Sequence, residues 1–211
     1  MWQTPTQEDD VEYFVYGRDR PGPGGLRWDL AEDHWSFMDR YEDALIARGP
    51  TFRDDDEDAT TGSMHIVDLP DAAAAHTFAF SEPYFEAGIF EDVLVRRWRN
   101  TLGRTMWNFA GHGGPRFLVI GHGIPDASSR PDALHADQLD YLLGSDLRDH
   151  VILCGPLLAD NGADWLGTSM LLEMAGRAEV QTMVIGSPFA RAGLYRDIEI
   201  HSWRFGGRPS K

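Results

Sequence analysis

His34 is the side chain in this sequence best placed to move a proton. It falls with Met38, Tyr41 and Leu45 at i, i+4, i+7 and i+11, one face of a helix. That face would aim the imidazole into the space between a helix and whatever the helix covers. The histidine also lies in the first turn of the expected helix, where the positive end of the helix dipole disfavours imidazolium. A histidine kept neutral can act as a general base or donate a hydrogen bond. A structural histidine at the edge of an apolar cleft satisfies the same pattern. His135 repeats the arrangement, with Leu139 and Leu142 at i+4 and i+7. Tyr16, Arg18 and Trp28 lie on or after the strand that precedes the first helix. They are expected at the mouth of the cleft with Met38, with Arg18 able to hold a substrate carboxylate through two hydrogen bonds. A surface arginine and two core aromatics fit equally well.

Other chemistries are excluded or weak. Lys211 is the only lysine, so Schiff-base catalysis has no candidate except the last residue. The single cysteine, Cys154, sits in the apolar run Val151–Pro156 and reads as a small buried hydrophobe. It allows no intrachain disulfide and no cysteine-based zinc site. The run Asp54 to Asp58 lacks the alternating ligands and closing glutamate of a calcium loop. His112 and His122 have no companion ligands, and no metal is expected. Gly22-Pro23-Gly24-Gly25 is not followed by Gly-Lys-Ser/Thr, so it is no phosphate loop. The formal net charge of −15 argues against nucleic acid and against an anionic membrane surface. No apolar run approaches membrane-spanning length, and the polar, acidic start has no signal-peptide character, so a cytoplasmic protein is expected.

The elements that position these residues occur twice. Glu82-Pro83-Tyr84, Ala87-Gly88 and Trp98-Arg99 return as Ser187-Pro188-Phe189, Ala192-Gly193 and Trp203-Arg204 at a constant offset of 105 residues. A fixed period of this length means two copies of one small domain. Each copy reads strand, helix, strand, strand, helix, strand, the ferredoxin-like split unit. The first helix is expected from about Leu30 to Arg48 and to stop at Gly49-Pro50; Gly155-Pro156 is its counterpart. Two such sheets can cover each other's bare faces. The expected fold class is therefore α+β, two ferredoxin-like (βαββαβ) repeats closing an intramolecular pseudo-dimeric α+β barrel. The expected domains are 11–107 and 115–206, with the glycine-rich stretch between them as linker. Residues 1–10 and 206–211 read as frayed termini. The seven tryptophans suit either core packing or a wide aromatic cleft for a planar or polycyclic ligand.

The strand ending in Tyr16-Gly17-Arg18-Asp19, the helix His34, Gly49-Pro50, Gly62-Ser63, Pro83-Tyr84, Ala87-Gly88 and the closing Trp98-Arg99 together resemble the YCII-related domain family of dimeric α+β barrel proteins. The resemblance covers nearly the whole chain, once per half. It implies a pair of domains that other members form from two chains. It also implies a dyad between the helix histidine and an aspartate just before the Pro-Tyr pair. That acidic position is Glu82 in the first copy and Ser187 in the second. On this resemblance the candidate catalytic pair is His34 and Glu82, with Glu82 orienting the ring. His135 and Ser187 mark a degenerate or binding-only cleft.

The implied function is a cofactor-free enzyme of isomerase, lyase or cyclase type. His34 would shuttle a proton on a small organic acid, lactone or aromatic metabolite. A non-catalytic small-molecule binder of the same fold is the alternative. A barrel that borrows an external haem or flavin is a third reading. A small-molecule ligand is the expected partner, and further pairing of two chains is left open.

Overall fold

A computed structural model describes residues 11–22, 24–56, 58–125, 132–144 and 146–208. In the first copy, strand β1 (Val11–Asp19) leads through helices α1 (Gly24–Asp29) and α2 (Ala31–Asp39) to β2 (Leu45–Phe52) and β3 (Thr60–Leu69). Helices α3 (Ala72–Phe80) and α4 (Pro83–Glu86) then precede β4 (Phe90–Trp98). The second copy repeats this as β5 (Arg116–Gly123), α5 (Asp132–Leu143), β6 (Val151–Leu158), β7 (Trp165–Glu173), α6 (Arg177–Gly186), α7 (Pro188–Arg191) and β8 (Tyr195–Trp203). The two sheets close into one eight-stranded antiparallel barrel in the order β1-β3-β2-β8-β5-β7-β6-β4. The seams are short: Thr51 pairs with Trp203 and Phe52 with Ser202 at one, Arg97 with Leu158 and Trp98 with Leu157 at the other. Pairing at these two seams closes the sheet on itself.

Side chains alternate across every strand, so each sheet has an inner and an outer face. Phe14, Tyr16, Met64, Ile66, Leu118, Ile120, Ile152 and Leu171 fill the barrel interior, with Trp98 and Trp203 packed among them. The outer faces are covered by helices. In the first copy Tyr13, Val15 and Val67 meet Phe37, Met38 and Phe78. In the second, Phe117, Val119 and Leu172 meet Val180, Met183 and Val184. Helix α3 is fixed at its start by the Asp71 carboxylate, which accepts from the Ala74 N–H at 2.8 Å.

Three expectations change. The face His34, Met38, Tyr41, Leu45 does not stay helical. Helix α2 ends at Asp39, a short 3-10 turn covers Glu42–Ala44, and Leu45 opens a strand. Gly49-Pro50 therefore lies within β2 rather than at a helix end. Its glycine is needed at the seam, because a Cβ there would sit 1.9 Å from the Arg204 carbonyl oxygen. Gly155 has the same role, with the Arg99 carbonyl oxygen 2.1 Å from its would-be Cβ. The repeated Gly-Pro marks where each copy receives the chain leaving the other. Residues 206–208 are not frayed. The Gly206 N–H donates to the Arg48 carbonyl at 2.9 Å, and Arg208 reaches back to Glu32, Asp39 and Ser36 on α2. Residues 1–10 and 209–211 lie outside the described residues.

Candidate functional site

The outer face of the first sheet and the helices above it enclose a cavity of about 190 Å³. Its floor comes from strand register. Arg48 on β2 lies directly opposite His65 on β3, and Pro50 opposite Ser63. Helix α2 supplies His34, Trp35 and Met38, α1 supplies Arg27 and Trp28, and α4 supplies Tyr84. Phe205, Gly206 and Gly207, from the segment after the last strand of the other copy, close one side.

His34 Nδ1 lies 2.9 Å from Glu82 Oε2, and both residues are buried. Glu82 is held from its other side. It is the N-cap of α4, and its Oε1 accepts the Phe85 N–H at 2.9 Å. The Pro83 at the first helical position fixes the start of that helix. With the Glu82 carboxylate as acceptor, Nδ1 carries a proton, and a neutral ring then has its lone pair on Nε2. The Tyr84 ring stacks on the imidazole at 4.1 Å between centres and 8° between planes, which fixes its orientation. The Arg27 guanidinium lies 4.5 Å from the Tyr84 ring centre. Burial pushes the Tyr84 phenol up to about 12, so it stays protonated.

Behind this pair lies a second buried one. Arg27 donates to Asp19 at 2.6 Å, to the Gly62 carbonyl at 3.2 Å and to the Ser63 hydroxyl. A register shift after Arg18 in the β1–β4 pairing accompanies the Asp19 carboxylate's position at the Arg27 side. Burial raises the Asp19 carboxyl above its ordinary value despite that arginine. His65 is only 5 % exposed. Burial, followed by the repulsion that a protonated His34 would exert and by the charges of Arg48 and Arg27, holds it well below the usual histidine range, so it is neutral.

The YCII-related domain matches this chain twice, over residues 11–99 and 116–204. The chain belongs to the YCII-related domain family. An uncharacterized protein of Haemophilus influenzae is 31% identical over 90 residues, spanning 40% of this chain and 92% of that protein. Among solved structures, a 5-chloro-2-hydroxyhydroquinone dehydrochlorinase from Burkholderia phenoliruptrix, in complex with 2,5-dihydroxybenzoquinone, is 26% identical over 44% of this chain and 99% of its own, with a TM-score of 0.41. A chlorite dismutase from Candidatus Nitrospira defluvii in complex with imidazole is 10% identical over 92% of this chain and 91% of its own. Its TM-score of 0.58 places the tandem YCII chain among the dimeric α+β barrels.

Among the described residues the second YCII copy builds no comparable group. His135 Nδ1 is buried and has no hydrogen-bond partner among the described residues. Its ring meets Phe189 at 5.1 Å and Trp165 at 6.4 Å, both edge to face. Ser187 does not reach it; the hydroxyl caps α7 instead, accepting from the Ala190 N–H at 3.4 Å. Gly123 stands where the first copy has Asp19, and a Cβ there would meet the Trp165 ring at 2.7 Å. Trp165, Phe189 and Leu194 fill the region with Ile124, Leu134 and Tyr195.

Of the residues singled out in the sequence, His34, Met38 and Trp28 line the first cavity, and Glu82 is hydrogen-bonded to His34 behind its wall. Trp28 stands at its rim, 73 % exposed. Tyr16 and Arg18 do not. They alternate onto the inner face of β1, on the far side of the sheet from His34. Tyr16 is buried against Thr51 at 3.0 Å. Arg18 is paired with Asp92 at 2.8 Å and Glu199 at 2.6 Å, so it has no charge left for a substrate. Arg27, Arg48, Ser63, His65 and Tyr84 were not legible as site residues. The repeated Gly62-Ser63 and Pro83-Tyr84 pairs were the available signals for two of them. Among the described residues no group of three or more His, Cys, Asp and Glu side chains is placed to hold a metal ion.

Proposed function

We propose that the first copy is the working half of a small-molecule enzyme that moves a proton by way of His34. The observation that carries this reading is the buried hydrogen bond of 2.9 Å between Glu82 and His34, whose ring lines the cavity. Glu82 holds the proton on Nδ1 and leaves Nε2 as the basic nitrogen. When Nε2 takes a proton from a substrate C–H or O–H, the imidazolium is supported by the Glu82 carboxylate and can return the proton to another substrate atom. That sequence serves isomerisation, elimination or cyclisation.

Size narrows the substrate. An apolar void of about 150 Å³ admits one benzene-sized ring, and this cavity is about 190 Å³. A single substituted ring or a short enolisable acid or lactone fits.

The test is a turnover screen of small ring acids, lactones and phenols with wild type, His34→Gln and His135→Gln. Loss of a general base costs about 10²- to 10⁴-fold in rate. The reading expects that loss in His34→Gln alone. Full turnover by His34→Gln, or equal loss in His135→Gln, would overturn it.

A further inference from the structure

The cavity holds two polar side chains that the proton-transfer pair does not use. Arg27 spends its donors on Asp19, Ser63 and the Gly62 carbonyl, and His34 Nδ1 is spent on Glu82. Arg48 is different. Its guanidinium donates no hydrogen bond among the described residues, and its Nε is buried without an acceptor. Its one ionic neighbour among the described residues is Asp39, at 3.7 Å. That carboxylate is held more closely by Arg208, at 2.8 Å. A guanidinium four-fifths removed from water with unused donors is costly unless something supplies acceptors. His65, directly across the strand pair, likewise makes no hydrogen bond among the described residues and lines the same cavity.

We propose that Arg48 and His65 form an oxyanion cradle, and that the ligand is a single-ring organic anion whose carboxylate or phenolate oxygen faces them. This rests on the reading of the cavity as the working site and names its substrate class. Arg48 presents a planar fork that matches an oxyanion through two hydrogen bonds. His65 adds one neutral N–H. Trp28, Trp35 and Phe205 offer apolar walls for the ring. The oxyanion then lies on the strand floor, and the rest of the ring extends toward His34 above it. The second copy carries Cys154 opposite Met170 at the corresponding pair, which offers an anion neither charge nor a strong donor.

The experiment is calorimetric titration of the full chain with benzoate, with 4-nitrophenolate and with neutral benzamide. Wild type is expected to bind both anions saturably and benzamide at least about tenfold more weakly, the difference one charge-assisted hydrogen bond makes. R48M is expected to lose about tenfold or more for benzoate while its melting temperature stays near wild type. R48K retains the charge without the fork and is expected to fall between the two; if R48M does not fold, unchanged benzoate affinity in R48K overturns the proposal. Benzoate affinity unchanged in R48M, equal binding of benzamide by wild type, or no saturable binding of either anion would each overturn it. Turnover lost in H34Q with benzoate binding unaffected by R48M would sink the cradle and leave the proton-transfer reading standing.

Discussion

The two copies share a backbone plan and differ in what they bury between helix and sheet. The first buries charge: Asp19 with Arg27, Glu82 with His34, and Arg48 beside neutral His65. The second buries apolar and aromatic surface at the same places: Gly123 against Trp165, Ser187 on its own helix cap, Cys154 beside Met170. Buried ion pairs are poor stabilisers compared with well-packed hydrophobic groups. A fold that needed only stability would be expected to resemble its second half. The polar inventory of the first half is what the proposed chemistry requires, while the second half supplies barrel closure and the 205–207 wall of the cavity.

That contrast can be attacked by exchanging residues between the halves. The largest effect is expected from Trp165→Thr, which places the first copy's Thr60 in the second. Removing a buried indole costs about 3–5 kcal/mol, read as a lower denaturation midpoint, with turnover at the first copy retained by the folded fraction. Next comes Asp19→Ala, which leaves Arg27 buried without its carboxylate. Breaking such a pair costs about 3 kcal/mol or more, and urea melts should show it. Glu82→Ser imports the second copy's cap. Serine still caps α4, so folding should hold, while turnover falls about tenfold to a hundredfold for the loss of a charge-assisted hydrogen bond of about 1.5–3 kcal/mol.

The smallest effect concerns the barrel interior, where the second copy has Glu199 and the first has Leu94 at the matching position. Burial alone would raise the Glu199 carboxyl. Hydrogen bonds from His122, His201 and Arg18 outweigh it and hold the group far below the usual carboxylate range. The unfolded chain then takes up the proton first as pH falls. The stabilisation is present above the free glutamate value of about 4.3 and is lost progressively below it. Glu199→Gln should be less stable than wild type near neutral pH, with the gap closing on acidification. A gap that persists at low pH would mean that packing, not charge, is what the variant loses.

The barrel and its pseudo-symmetry were legible because a repeated order of strands, helices and Gly-Pro pairs cannot arise from one copy. The local misreadings have local causes. A helical spacing carried past Asp39 because Tyr41 and Leu45 kept the period by chance, while tertiary closeness at Gly49 decided for a strand. Tyr16 and Arg18 were near His34 in order but on the wrong side of a pleat, and one residue of register reverses every side chain. Arg48 and His65 were invisible as a pair because only the pairing of β2 with β3 brings them opposite each other. Glu82 was legible only through the family resemblance, since nothing in spacing alone joins residues 34 and 82.

One copy is proposed to hold an oriented base that the other lacks. Long-range nitrogen–proton spectra of histidine-labelled protein test it directly, at about pH 8, above the ordinary histidine range. His34→Gln and His135→Gln assign the two rings. His34 is expected to carry its proton on Nδ1 with Nε2 bare, and Glu82→Ser to abolish that preference while His135 is unaffected. A His34 ring protonated at Nε2 in the wild type, or one whose tautomer ignores Glu82, would contradict it.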